Sequence, residues 1–415
     1  MNTFGKYQVV EKIAQGGMAE VFMGLAKARD GTHRLVALKR LNLETVQDAH
    51  IVTMFEDEAR VTSRIKHPNI VRTHEFFTDG ENKVLAMEFI PGCDGRTVLE
   101  ASTKAGQTLP ELMALTIIRD ICLGLEHAHA MTRSDGSPLG LIHRDISPHN
   151  MLVGYNGRTK IIDFGIVKSE VNLSRTLAGA MKGKFAYMAP EQIMSKALDH
   201  RVDIFALTAS LFELLTNQRA FDAPNDFAVL EKIRLGEWGP LPDGTVKDAS
   251  HISKLIAKGL SSSPDDRFST VGEFRATLES YIRTYFPRED GHALVKAWMR
   301  RHFAANYANL KRLAQSALQR EEVSKETITK SRDREQIQPS LPPVPASALS
   351  ELPSVQKGDS SSEVGSDAPA PPPPTISIVS DSVELDEGGA KHRAEYLGYG
   401  LVLLAVLLIA LELGF

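Results

Sequence analysis

Cysteine is nearly absent: the 415-residue chain has two, Cys93 and Cys122, and neither stands at metal-ligand spacing. That scarcity argues against a disulfide framework or a zinc site and suits a reducing compartment. An excess of positive charge is lacking as well. With 48 Lys and Arg against 52 Asp and Glu the formal charge is −4, so nucleic acid is not an expected partner. The first stretch, residues 1–13, has no apolar run long enough for a signal peptide, which leaves the first domain in the cytosol. What is present is apolar mass. A chain of this length that is 42% hydrophobic can bury a substantial core and should divide into more than one part.

Up to about residue 286 the sequence reads as globular, with strand-like stretches first and helices afterwards. Residues 7–13, 20–26 and 34–41 alternate or run apolar at strand length, and a helical stretch over about 46–66 follows. His67-Pro68-Asn69 breaks that pattern, and two more strands, near 72–77 and 83–90, end at Pro91-Gly92. Beyond them the apolar spacing is helical over 110–130, 201–216, 228–235, 252–260 and 271–285. Strands then helices predict an α+β fold in two lobes, a small five-stranded sheet with one helix and a larger helical lobe.

Residues 286–324 stay helix-prone, with apolar Leu294, Trp298, Phe303 and Leu310, and read as a helical extension whose role is not legible. Residues 325–395 are rich in Pro, Ser, Asp and Glu and are expected to form a disordered linker. Its run Pro371-Pro372-Pro373-Pro374 suits a stiff spacer, or a ligand for an aromatic-lined groove. Residues 396–415 are almost wholly apolar apart from Glu412. About 19 residues at about 1.5 Å rise reach roughly 28 Å, enough for a hydrocarbon layer of about 30 Å. Lys391, His392 and Arg393 stand just before this segment and favour the cytosol for its N-terminal side. The alternative is a core helix. The expectation is a single-pass anchor in the inner membrane, with the lipid bilayer as partner and the folded domain in the cytoplasm.

Several residue clusters suggest phosphate chemistry. Ile13-Ala14-Gln15-Gly16-Gly17-Met18-Ala19-Glu20-Val21 is a small-residue turn between two strands, where backbone N–H groups can approach phosphate oxygens; alone it equally fits an ordinary hairpin turn. Val36-Ala37-Leu38-Lys39 puts a lysine on a strand. Its acidic partner should be Glu58. Ile51, Met54, Phe55, Thr62 and Ile65 form one helical stripe that contains Glu58, whereas Glu56 and Asp57 point elsewhere. A carboxylate on an inward face needs a cation. Farther on come His143-Arg144-Asp145-Ile146-Ser147-Pro148-His149-Asn150 and Asp163-Phe164-Gly165. Residues 151–153 and 160–162 read as strands joined at Asn156-Gly157, a hairpin that would return Asn150 and Asp163 to one place, where hard oxygens can bind Mg²⁺.

These motifs resemble the eukaryotic-like protein kinases, in their bacterial membrane-anchored Ser/Thr form. The resemblance implies the two-lobed kinase fold over residues 7–285, with the small lobe at 7–87, the hinge at 88–91 and the large lobe at 92–285. It implies Asp145 as the base for the substrate hydroxyl, Asn150 and Asp163 as metal ligands, and Lys39 paired with Glu58 on the ATP phosphates. It places Ile13, Ala14, Gly16, Gly17, Val21, Ala37 and Leu152 around the nucleotide, with Met87 as gatekeeper and Glu88 and Ile90 in the hinge. His143 would support the catalytic loop, Asp203 would brace it, and Glu191 of Ala189-Pro190-Glu191 would pair with Arg267. Protein substrates with Ser or Thr acceptors are implied, with a transient homodimer serving autophosphorylation in trans.

Three departures stand out. Ala14 and Ala19 replace the outer glycines of the glycine-rich loop, Ser147 stands where Ser/Thr kinases carry a lysine, and Lys184 where they carry a threonine. Lys184 is therefore a candidate to supply the charge that Ser147 lacks, an exposed substrate-facing lysine being the alternative. The last two departures weaken the assignment of Ser/Thr over Tyr. Arg144 suggests capture of a phosphate on the activation segment, where Ser169, Ser174 and Thr176 are candidate sites. Rival readings are a nucleotide-sensing pseudokinase scaffold, disfavoured by the complete catalytic set, and a small-molecule kinase, which has no need of Ala189-Pro190-Glu191 and Arg267.

Overall fold

The computed structural model describes residues 2–28, 32–164 and 185–317. Alternating apolar and polar residues early in the chain form one antiparallel sheet from β1 (Thr3–Phe4), β2 (Tyr7–Gln15), β3 (Ala19–Lys27), β4 (His33–Leu41), β5 (Thr73–Asp79) and β6 (Asn82–Glu88). The order is β1-β2-β3-β4-β6-β5, six strands where the sequence suggests five. The extra strand is too short for a periodicity. It forms because Gly5 adopts a positive φ (+51°) and folds Thr3–Phe4 back on β2, burying Phe4 edge-on against Phe22.

Two helices follow β4, α1 (Leu43–Val46) and α2 (Ala49–Thr62). The Asp48 carboxylate caps α2 by accepting from His50 N and Ile51 N, which starts the helix at Ala49 where the sequence suggests about residue 46. Phe55 and Ala59 of α2 pack with Leu41 and Leu85 on one face of the sheet. At its end Thr73 Oγ1 donates to Thr62 Oγ1 (2.9 Å), tying α2 to β5.

The large lobe is built on α4 (Glu111–His129) and α6 (Arg201–Thr216), whose near-continuous apolar surfaces are buried on all sides. Around them lie α3 (Gly95–Lys104), α5 (Pro190–Ile193), α7 (Asp226–Leu235), α8 (Ala249–Gly259) and α9 (Val271–Tyr285). A small sheet, β7 (Gly92–Asp94), β8 (Met151–Gly154) and β9 (Thr159–Ile161), joins the hinge to the catalytic hairpin. As expected, Glu191 and Arg267 form a bidentate pair (2.6 and 2.8 Å), fully buried on the Arg267 side.

The extension forms α10 (Gly291–His302) and a further helical stretch over 304–317. It docks on the large lobe. Val295, Trp298 and Met299 enter the main core, and Asp290 caps the helix. His292 Nε2 donates to Asp120 Oδ1 (2.9 Å), while Asp120 Oδ2 accepts from Thr159 N (2.9 Å), so α10 is stitched through α4 to β9. Arg300 Nε donates to Tyr155 O (3.2 Å). The contact is close: a Cβ on Gly157 would lie 2.2 Å from His292 O, and one on Gly291 would lie 2.0 Å from Thr116 Oγ1. Among the described residues no helix is long and apolar enough to cross a membrane. The linker and span expected over 325–415, and the end of the extension, lie outside the described residues.

Gly157 also has φ +90°, whereas Gly80 has φ +58° with nothing near it. Both Gly→Ala changes carry the left-handed cost of about 1–2 kcal/mol; only Gly157→Ala should also push α10 off the hairpin. Its Tm should fall roughly 5 °C further than that of Gly80→Ala in a thermal melt. Equal losses would mean that α10 does not bear on the hairpin.

Candidate active site

The catalytic loop is held from behind by one buried carboxylate. Asp203, on α6, accepts from His143 N (Oδ2, 2.8 Å), Arg144 N (Oδ1, 2.8 Å) and His129 Nε2 (Oδ2, 2.8 Å). Burial alone would raise its pKa, but the His129 hydrogen bond and the charges of His129 and His143 hold it below the usual carboxylate value. Arg144 adopts a left-handed φ of +66°, a conformation that costs about 1–2 kcal/mol and persists because its own amide and that of His143 are pinned. His143 Nε2 donates to Ile162 O (3.2 Å), and its ring packs against Phe164, so the loop and the segment after β9 support each other.

Asn150 closes the loop in front. Its Nδ2 donates to Asp145 O (2.7 Å) and Asp145 Oδ2 (2.9 Å), which turns Oδ1 away from Asp145. The hairpin of β8 and β9 then brings Asp163 back: Ile162 N donates to Asn150 O (3.0 Å). The expected turn at Asn156-Gly157 is present, with Asn156 Oδ1 accepting from Arg158 N (3.0 Å). Asn150 and Asp163 therefore sit side by side as hard oxygen donors next to Asp145, a set that fits Mg²⁺ sharing its remaining positions with water and phosphate oxygens.

Lys39 arrives from the sheet. Strand register sets Val21 and Leu85 opposite Lys39, and Met87 opposite Ala37, so one sheet face carries Val21, Ala37, Lys39, Leu85 and Met87. That is the face on which α2 packs, and it delivers Glu58 to Lys39 as the stripe on α2 implies. Glu56 and Asp57 do point away, toward Lys83 (3.6 Å) and Arg60 (2.8 Å).

The lysine is shared unequally. Its Nζ is 2.6 Å from Asp163 Oδ1 but 4.0 Å from Glu58 Oε2. Burial would lower the Lys39 pKa, yet the Asp163 and Glu58 carboxylates outweigh it and hold the ammonium above the ordinary lysine value. Glu58, left with the longer contact, is dominated by burial, and its carboxyl is pushed up to about 7 against the pull of Lys39. Lys39 is thus a fixed cation between Asp163 and Glu58.

The other residues expected around a nucleotide lie on neighbouring elements. Leu152 alternates with buried Met151 and Val153 and stays partly exposed, facing away from the large-lobe core. The Glu88 carboxylate takes Lys160 Nζ (2.8 Å), bracing the hinge against β9, and Ile90 follows it half-buried. Ile13, Ala14, Gly16 and Gly17 are exposed at the hairpin between β2 and β3. That hairpin is held by a residue the motif reading missed. Asn42 Nδ2 donates to Gly17 O (3.0 Å) and Gly16 O (3.3 Å), and Asn42 N donates to Met18 O (2.9 Å). Asn42 precedes α1 where an asparagine ordinarily caps its helix, yet it makes no side-chain cap bond. Lys184, Gly165, Ser169, Ser174 and Thr176 lie outside the described residues. Ser147 is buried in the loop.

If Asn42 holds the loop over the phosphates, Asn42→Ala should weaken Mg-ATP binding about fivefold by calorimetry, the equivalent of about 1 kcal/mol of hydrogen bonding. An unchanged affinity would make the contact incidental.

A family model described as protein kinase domain matches residues 7–279. Among curated relatives, a Myxococcus xanthus (strain DK1622) protein named tyrosine-protein kinase MasK is 37% identical over 304 residues, 73% of this chain and 47% of that protein. Serine/threonine-protein kinase PrkC of Bacillus subtilis (strain 168) is 29% identical over 276 residues, 66% of this chain and 40% of that protein. Serine/threonine-protein kinase PknL of Mycobacterium bovis is 30% identical over 276 residues, 66% of this chain and 65% of that protein. The chain spans less than half the length of the first two relatives and about two thirds of the third. The matched region contains the loop, the hairpin and the lysine strand just described, and the chain belongs to the protein kinase family.

Proposed function

We propose that this chain is an ATP-dependent protein kinase that transfers the γ-phosphoryl group to Ser and Thr hydroxyls of proteins, itself included. One observation carries the reading: Asp145, Asn150, Asp163 and Lys39 converge from distant stretches with Asp145 bonded to Asn150 and Asp163 bonded to Lys39. The substrate oxygen forms a bond to the γ-phosphorus as the bond to the ADP oxygen breaks, and the hydroxyl proton passes to Asp145. A divalent cation, when bound, screens the phosphate charge. Asn150 and Asp163 would hold it, and Lys39, steadied by Glu58, would orient the phosphates.

Names of relatives such as PrkC and PknL support Ser/Thr acceptors. A second reading, tyrosine, is favoured by the name of the Myxococcus xanthus relative and by Ser147 in place of the usual lysine. Lys184 is the proposed substitute for that cation. Regulation by autophosphorylation at Ser169, Ser174 or Thr176, in trans within a transient homodimer, draws support from Arg144. Its Nε is buried with no partner among the described residues, a donor suited to a phosphate oxygen. The apolar stretch over 396–415 supports a single-pass anchor in the inner membrane, with the kinase on the cytoplasmic side.

Incubation with Mg-[γ-³²P]ATP should label the chain or a general protein acceptor, and Asp145→Asn should reduce the rate by about 10² to 10⁴. Acid hydrolysis should release phosphoserine or phosphothreonine; phosphotyrosine alone would select the second reading. No transfer to any protein would leave only a nucleotide-binding scaffold. The full chain should sediment with salt-washed membranes while a chain ended at residue 395 should not. Equal solubility of the two would remove the anchor.

A further inference from the structure

Away from the nucleotide residues, a cavity of about 430 Å³ opens where α3, the end of α6 and α7 meet. Its wall holds Arg96, Arg219 and Lys232 against two acids, Glu213 and Asp222. Glu213 is already spent: its side chain is 2% exposed, Oε1 accepts from Arg96 Nη1 (3.2 Å), and Oε2 accepts from the Tyr187 hydroxyl. A basic group entering the cavity would have to displace Arg96 to reach that carboxylate. Lys232 Nζ donates to a backbone carbonyl, Asp222 O (2.8 Å), which leaves its charge unmatched. Arg219 is half-buried and, among the described residues, has no hydrogen-bond or ion-pair partner. Asp222 stands exposed as the only other acid in this wall. The unmet groups are thus donors with positive charge, and a guanidinium offers the planar fork that carboxylates and phosphates fit.

The cavity also lies near the loop that carries Asp145, where the acceptor hydroxyl would sit. Gly95, the residue before Arg96, packs so tightly on the catalytic loop that a Cβ there would come within 2.8 Å of Pro148 O. Pro148 follows Asp145 by three residues, at most about 10 Å of chain. Tyr187, on the other side, stands just before the Ala189-Pro190-Glu191 segment.

We infer that this cavity is a specificity site for the protein substrate and takes an anionic side chain, a carboxylate or a phosphoryl group, roughly three to five residues from the acceptor hydroxyl. Arg219 is its specificity-determining residue. The inference rests on the protein kinase reading but makes a separate demand: charge selection in the substrate.

Peptides with one Ser or one Tyr acceptor, carrying Glu, phosphoserine, Ala or Lys four residues to either side, supply the test. Wild type should phosphorylate a Glu or phosphoserine peptide with a KM about tenfold below that of its Ala counterpart, on one side of the acceptor. Arg219→Glu should reverse the order of the Glu and Lys peptides, each rate taken relative to the Ala peptide in the same variant. A lower KM for phosphoserine than for Glu would identify a previously phosphorylated substrate, and equal values an acidic one; both uphold the site. Indifference of wild type to all four residues would overturn it while leaving the kinase reading intact. Persistence of the Glu preference in Arg219→Glu would overturn the cavity as its source. If Arg219→Glu does not fold by thermal melt, Arg219→Gln should abolish the preference in its place. If no peptide is phosphorylated, the kinase reading rests on labelling of the chain and of the general protein acceptor, and anisotropy of the labelled peptides decides the cavity: tighter binding of the Glu peptide, lost in the variant, upholds it, and equal binding overturns it.

Discussion

The contact between Lys39 and Asp163 joins the two lobes at the point where chemistry would occur. Lys39 belongs to β4 of the small sheet, and Asp163 to the segment leaving β9 in the large lobe. At 2.6 Å the pair leaves Glu58 with the weaker share of the ammonium. A pair at about 4 Å is worth on the order of 4 kcal/mol at an effective dielectric near 20, so an additional anion beside Lys39 has a ready electrostatic partner. An arriving polyphosphate with its cation would compete for the same charges. Lys39 would then exchange one partner for another.

That exchange needs a frame that does not move with it, and the large lobe supplies one. Asp203 fixes two successive amides of the catalytic loop, and the Glu191–Arg267 pair fixes the end of the activation segment. Each buried acid has a named donor, the condition under which a buried charge supports a fold rather than opposing it. The docked extension adds to this frame from the far side. Through Asp120 and Thr159 it reaches the strand that ends two residues before Asp163, so helix packing at the surface of the lobe bears on the placement of that carboxylate.

Much of this was legible in the sequence because it depends on local pattern. The helices at 201–216 and 271–285 appear where their apolar spacing puts them, and the stripe on α2 singled out Glu58 among three consecutive acids. What escaped depends on contacts between distant residues. α3 begins at a glycine and contains Thr97, Ser102 and Thr103, a weak helix by propensity. It forms because Asp94 caps it and Val98 and Leu99 are buried against the large lobe. Asn42 looks like a helix cap and holds a loop instead. The extension showed apolar residues but no partner, since its partners include Gly157, Thr116 and Asp120, more than 100 residues away. The cation assigned to Lys184 is tied to no pattern beyond the family resemblance.

The most direct test of the shared lysine is the Mg²⁺ dependence of ATP binding, followed by fluorescence titration in wild type and Asp163→Asn. Wild type should bind ATP far more tightly as Mg²⁺ rises, and the variant, having lost the carboxylate that both Lys39 and the metal use, should bind with little regard to Mg²⁺. Equal Mg²⁺ dependence in the two proteins would contradict the account.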